Sequence, residues 1–368
     1  MRPFLVLLFI SLCFSCESKE KALILPLLEI TDITVLDFTD MPIPDERSSF
    51  GTYSNSFYFT HDLLDSLGLY RYDFEEDIWE STFFPLDGPN GLKKYDDFIL
   101  INDTLAIHGL KGFSSFQLVN LKSNQVETFR FSDTKMGISK LTSSSVYYDG
   151  NILGFPISYS MSNKDENYTK EVPIYGFYDI GLSKLVTSFG FPEEFQNYTF
   201  STNFLNRDFL VVGETIHLSM HKSDFIYSFD LNGGLKKKTS VSSSYVSHVN
   251  PGIETNQIQN MISTMLGGIY SSFLYDGKYF YRSILYVPKH LQQEDSGDLK
   301  SFMESYENAR FKVIKLDKNF EIVAEGEFDG ASSKKGIGDN FYFIKEGSLY
   351  YWLLDKQKED LERFVTLE

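Results

Sequence analysis

One unit recurs along the whole chain, and it limits the possible folds more than any single motif. Each copy has two or three alternating apolar residues, an Asp or Asn, a short polar turn and a second alternating strand. The copies are LYRYDFEEDIW (69–79), FQLVNLKSNQVETF (116–129), YGFYDIGLSKLVTSF (175–189), IYSFDLNGGLKKKTSV (226–241), FKVIKLDKNFEIVAEGEF (311–328) and LYYWLLDKQKEDLERF (349–364). Their anchors, Asp73, Asn120, Asp179, Asp230, Asp317 and Asp355, stand 47, 59, 51, 87 and 38 residues apart. A short Asp or Asn side chain accepts a hydrogen bond from the turn backbone two residues on, which is why those types recur there. Most of the spacings lie near the roughly 40–50 residues of a four-stranded propeller blade.

A second strand pair precedes each copy, as in SVYYDGNILGFPISY (145–159), FLVVGETIHLSMH (209–221) and SSFLYDGKYFYRSILYV (271–287). Asp149-Gly150 and Asp276-Gly277 between alternating runs are strong hairpin signals. Two hairpins per unit make a four-stranded blade. The expected fold is therefore all-β, a six-bladed β-propeller; two stacked sandwiches are the rival. Composition agrees, with 34 Phe and 23 Tyr for pleated surfaces and five Ala. The last copy is one strand short, and ITDITVLDF (30–38) is the spare strand that closes the ring without a covalent bond.

The 87-residue gap implies two short helical insertions in blade five. Ile258, Met261, Ile262, Met265 and Leu266 form one helical stripe. Asp298 caps a second helix whose Leu299, Phe302, Met303 and Tyr306 share a face.

At the N-terminus, Arg2 precedes the nine-residue apolar run Phe4–Leu12, too short to span a bilayer but suited to a signal peptide. Ser15-Cys16 follows, and a small residue before a cysteine resembles the lipobox of bacterial lipoproteins. That pattern has Leu three positions before the cysteine, where this chain has Cys13. The expected organisation is a signal peptide over 1–15, a tether over 16–29 with Cys16 lipidated, and the propeller over 30–368. Cleavage removes Cys13, the only other cysteine, so no disulfide is expected in the mature chain. The lipobox-like start, the Asp-anchored hairpins and LGGIYSSFLYDGKYFYR (266–282) resemble bacterial lipoproteins of uncharacterised function with TolB-like six-bladed propellers. That resemblance implies the fold and an envelope location, lipid-anchored in the outer membrane on its periplasmic side or at the cell surface. It implies no catalytic residues.

The net charge of −17 opposes phosphate backbones, so nucleic acid is not an expected partner, and membrane contact is expected through the lipid anchor only. No nucleophile elbow, H-E-x-x-H, P-loop or EF-hand loop is present, the C-x-x-C at Cys13–Cys16 is split by the expected cleavage before Cys16, and neither a cofactor nor a metal is expected. His217 and His221, four apart on one strand-like run, would need a third ligand to hold a metal. The candidate ligand-binding set is Tyr279, Tyr281 and Arg282 with Tyr245 and His248, because aromatic rings beside a guanidinium stack on sugars or peptides and pair with carboxylates. The expected role is a binding module for a protein, peptide or glycan. The alternative is a glycan-acting lyase or hydrolase using channel-facing residues.

Overall fold

The computed structural model describes residues 26–42, 48–88, 90–93, 97–109, 114–160, 167–196, 205–246, 266–292, 299–306, 308–329, 337–353 and 361–368. Alternating apolar and polar residues bounded by Asx turns pair as antiparallel strands, and six sheets result. Blade one is Phe50–Tyr53, Ser56–Asp62, Ser66–Asp73 and Ile78–Pro85. Blade two is Phe98–Asn102, Leu105–Gly109, Ser115–Asn120 and Gln125–Arg130. In blade three the first position is shared by Met136–Ile138 and Tyr147–Tyr148, which both pair with Ile152–Tyr159, followed by Pro173–Asp179 and Lys184–Gly190. Blade four is Arg207–Val212, Thr215–Met220, Phe225–Asp230 and Leu235–Ser240; blade five is Ile269–Tyr275, Phe280–Tyr286, Arg310–Leu316 and Ile322–Asp329.

Blade six takes three strands from the C-terminal end, Ile337–Lys345, Ser348–Leu353 and Leu361–Leu367, and its fourth from the N-terminal side. Ile30–Asp37 pairs antiparallel with Leu361–Leu367, with Ile33 opposite Val365 and Val35 opposite Arg363. The spare strand closes the ring as its sequence led us to expect. The segment before it, within the stretch read as tether, is also paired. Leu27 bridges Glu325 in parallel, and the Leu28 and Glu325 amides bond the Glu325 and Pro26 carbonyls at 2.9 and 3.1 Å.

The apolar faces of neighbouring blades meet in six separate cores, one for each interface. Blade one meets blade two through Tyr58, Phe84 and Phe98, and blade three meets blade four through Tyr175, Phe189 and Phe229. The closing interface joins Leu36, Phe38, Phe343 and Phe364 of blade six to Phe57 and Phe59 of blade one. Large rings fill the wedge between splayed sheets, which accounts for the abundance of Phe and Tyr.

An even number of strands returns the chain to the same end of the ring after every blade. The tight turns between first and second and between third and fourth strands therefore lie at one end. All connections between second and third strands, and from each blade to the next, lie at the other. Asp73, Asn120, Asp179, Asp230 and Asp317 occupy third-to-fourth turns and accept turn amides at 2.8–3.1 Å. The sixth anchor departs from this phase. Asp355 lies outside the described residues, between the second and third strands of blade six, because any hairpin with an Asx turn shares the repeat's pattern. Of the two expected helices, Leu299–Tyr306 is observed in blade five. Residues 247–265, which hold most of the first expected helix, and 293–298 lie outside the described residues; the short turn Lys289–Leu291 is described between them.

Candidate functional site

Strand alternation divides the candidate residues. Along Phe280–Tyr286, Arg282 lies on the side that faces blade four, together with Phe280, Ile284 and Tyr286 in that interface, whereas Tyr281 faces blade six with Tyr279. Arg282 is 0% exposed. Its Nε donates to Ser219 Oγ at 3.1 Å, and its terminal nitrogens donate to the carbonyls of Asp224, Val241, Met220 and Ser223 at 3.3, 3.2, 3.4 and 2.5 Å. Its Cζ lies 3.3 Å from the centre of the Tyr270 ring, and the Tyr270 hydroxyl donates to Asp224 Oδ1 at 2.7 Å. Burial pulls the guanidinium down to about 10, opposed by Tyr270 and Asp224, so it stays charged at neutral pH. The planar fork ties blade five to the 220–224 turn of blade four.

Tyr281 donates to Asp276 Oδ2 at 2.7 Å, and burial pushes its hydroxyl well above the usual tyrosine range. Tyr279 is half-buried beside the 276–279 turn, at the tight-turn end, with Lys278 and Lys315 at 4.7 and 4.6 Å from its ring. Tyr245 lies at the opposite end, in the long connection that leads from blade four to blade five. It is 37% exposed. Its ring packs on Tyr286 at 4.5 Å, and the Lys312 ammonium lies 4.5 Å from its centre while pairing with Glu325 at 2.9 Å. Gly268 permits this placement: its φ is +73°, and a Cβ there would sit 2.2 Å from the Tyr245 carbonyl. Lys222 donates to the Gly268 carbonyl from a buried position that pulls its ammonium down to about 8. Tyr245 is therefore an exposed ring on a fixed polar base, a surface on which a sugar or an aromatic side chain can stack. His248 lies outside the described residues.

The ring axis holds groups that the sequence reading missed. Between its two short first-position strands, blade three sends residues 139–146 toward the centre. The Leu141 amide donates to Asp97 of blade two at 2.6 Å, and the Val211 amide of blade four donates to the Ser144 carbonyl at 2.7 Å. Tyr342 of blade six bonds Ser143 and Ser144, and a Cβ at Gly51 of blade one would lie 2.9 Å from Ser143 Oγ. This excursion joins five of the six blades. Its sequence signal is Lys140–Ser145, a hydroxyl-rich run without alternation between two strand-like stretches.

His217 and His221 serve different neighbours. His217 sits among Phe273, Phe280 and Phe320 with Nδ1 2.9 Å from Ser228 Oγ, and His221 Nε2 lies 3.2 Å from Asp208 Oδ2. Among the described residues no three His, Cys, Asp or Glu side chains form a group that could hold a metal ion. No helix among them is long and apolar enough to cross a membrane.

No family model and no curated protein matches the chain. Solved structures do. A member of the DUF4221 family from Bacteroides vulgatus is 14% identical, with a TM-score of 0.70 over 93% of this chain and 97% of its own. A candidate exported protein from Bacteroides fragilis is 12% identical, with a TM-score of 0.56 over 93% of this chain and 95% of its own. At such identities the likeness is one of fold, and it extends over nearly the full length of both proteins.

Proposed function

We propose that this chain is an exported lipoprotein, acylated at Cys16 and held at the outer membrane, whose propeller binds a protein, peptide or glycan. The contact surface is the loop-bearing end of blade five around Tyr245, and His248, three residues further along the sequence, is proposed to belong to it. The observation that carries this reading is the Tyr245 ring, exposed at the end where all long connections gather and fixed from beneath by Tyr286 and Lys312. Binding residues concentrate on loops held by a rigid scaffold. The export name of the Bacteroides fragilis relative in fold and the signal-peptide pattern over 1–15 support the compartment. A glycan-cleaving site built from Tyr281 and Arg282 fits less well, because those side chains face different blades and every Arg282 nitrogen is bonded to the chain itself.

The test compares wild type and Tyr245→Ala on arrays of glycans and peptides, followed by titration of the ligands retained. Tyr245→Ala is expected to weaken binding at least tenfold while leaving the melting temperature nearly unchanged, since the ring is partly solvated already. Equal binding by the two proteins would remove the assignment.

A further inference from the structure

The same topology assigns an orientation at the membrane. Pro26–Leu28 runs parallel to Ile322–Asp329 on the outer edge of blade five, and Ile30 opposite Leu367 opens the closing strand. Fourth strands run from the tight-turn end toward the loop-bearing end. Pro26–Leu28 therefore runs along the blade-five rim from the tight-turn side toward the loop-bearing side. Only residues 17–25 separate Cys16 from Pro26, and at ~3.3–3.6 Å per residue they reach at most roughly 35 Å. An acyl chain on Cys16 keeps this rim close to the bilayer.

The rim carries an apolar surface at that place. Leu27 is 66% exposed, Ile30 44%, Ile33 53% and Val35 47%. Ile30, Ile33 and Val35 oppose Leu367, Val365 and Arg363, alternate residues of one strand, so all three share a face. That face is turned toward blade five, because Val365 and Leu367 pack there with Phe311 and Val313. Tyr279, flanked by Lys278 and Lys315, belongs to the same interface at the tight-turn end. Aliphatic groups with a tyrosine and lysines suit the boundary between lipid headgroups and acyl chains.

We infer that the rim of blades five and six around Leu27, Ile30 and Val35 rests on the bilayer. The occupant is the lipid surface, and this orientation rests on the acylation of Cys16. A chain of net charge −17 is repelled by anionic lipid, so the contact suits zwitterionic headgroups.

The experiment uses the acylated, membrane-extracted protein reconstituted in phosphatidylcholine vesicles. An environment-sensitive fluorophore is attached at Ile30→Cys or at Leu64→Cys, whose native side chain is 97% exposed at the loop-bearing end of blade one. The Ile30 label should shift to the blue and be quenched at least twofold more by nitroxide lipids than the Leu64 label. Equal quenching, or stronger quenching at Leu64, overturns the orientation while leaving the anchor standing. Incorporation of labelled fatty acid, absent in Cys16→Ser, is measured in parallel. Its absence from wild type removes the anchor, and the orientation with it.

Discussion

A guanidinium taken wholly out of water must find acceptors for five N–H groups, and Arg282 finds one hydroxyl and four carbonyls on the neighbouring blade. Truncation removes every one of these donated bonds, although the Asp224, Met220 and Val241 carbonyls keep the Val241 amide, the Ser223 amide and the Tyr270 hydroxyl. Arg282→Ala is therefore expected to cost about 3–5 kcal/mol in urea unfolding. Arg282→Lys should recover only a minority of the loss, since an ammonium cannot reproduce the fork. A variant as stable as wild type would remove the structural role. The residue types around Arg282 were legible in the sequence, and so was the alternation that sends Tyr281 the other way. Alternation alone does not say which face meets solvent, because blades pack on both sides. His217 gives a pH signature. Burial, with Lys237 nearby, pulls its imidazole from 6.5 down to about 4. Below pH 6.5 the unfolded chain takes up a proton that the folded chain refuses until about pH 4, so stability falls as pH drops through that window. The contribution lost at pH 5 is about 2 kcal/mol. Comparing wild type with His217→Gln at pH 7.5 and pH 5 isolates it: the variant should lose about that much less on acidification. The same loss in both proteins would exclude His217 as the source.

Among elements, the Asx hairpins were the most legible, since an Asp or Asn and the amides that donate to it lie within four residues of each other. Sequence also located the closing strand, as an alternating run left over after the hairpins were assigned. What it missed depends on distant contacts. The 139–146 excursion follows no periodic pattern, and its partners Asp97, Val211 and Tyr342 come from three other blades. The turn of blade five hides another long-range choice. Phe320 has φ +68°, a conformation costly for a bulky side chain, where the equivalent turns place Asp77, Asn124, Ser183 or Gly233. Its ring is held 4.7 Å from Phe280 and 5.2 Å from His217, and burial between blades offsets the local strain. Leu235–Ser240, with Lys236, Lys237 and Lys238, forms the outer edge of blade four. Charged side chains on an edge strand discourage pairing with another chain.

At the scale of the whole molecule, stability is distributed over six interfaces, and five of them join sheets consecutive in the chain. The sixth depends on residues more than 300 positions apart, since Leu36 and Phe38 meet Phe343 and Phe364 as well as Phe57 and Phe59. Trp79 of blade one adds a bond, its Nε1 donating to the Asp37 carbonyl at 3.0 Å. Removing Ile30–Asp37 would strip blade six of its outer strand, expose the Leu361–Leu367 edge and remove Leu36 from the last core. Burial of a single Leu or Phe is worth about 1.5–3 kcal/mol, and the lost strand pairing adds to it. A chain lacking 30–37 should therefore unfold with a loss of at least about 5 kcal/mol relative to wild type. It should also self-associate through the bared edge, visible as early-eluting species in size-exclusion chromatography. Leu36→Ala tests the core contribution alone: it should cost about 2–5 kcal/mol while the protein stays monomeric. A deletion variant that melts with wild type and elutes as a monomer would mean that the ring does not need this strand to close.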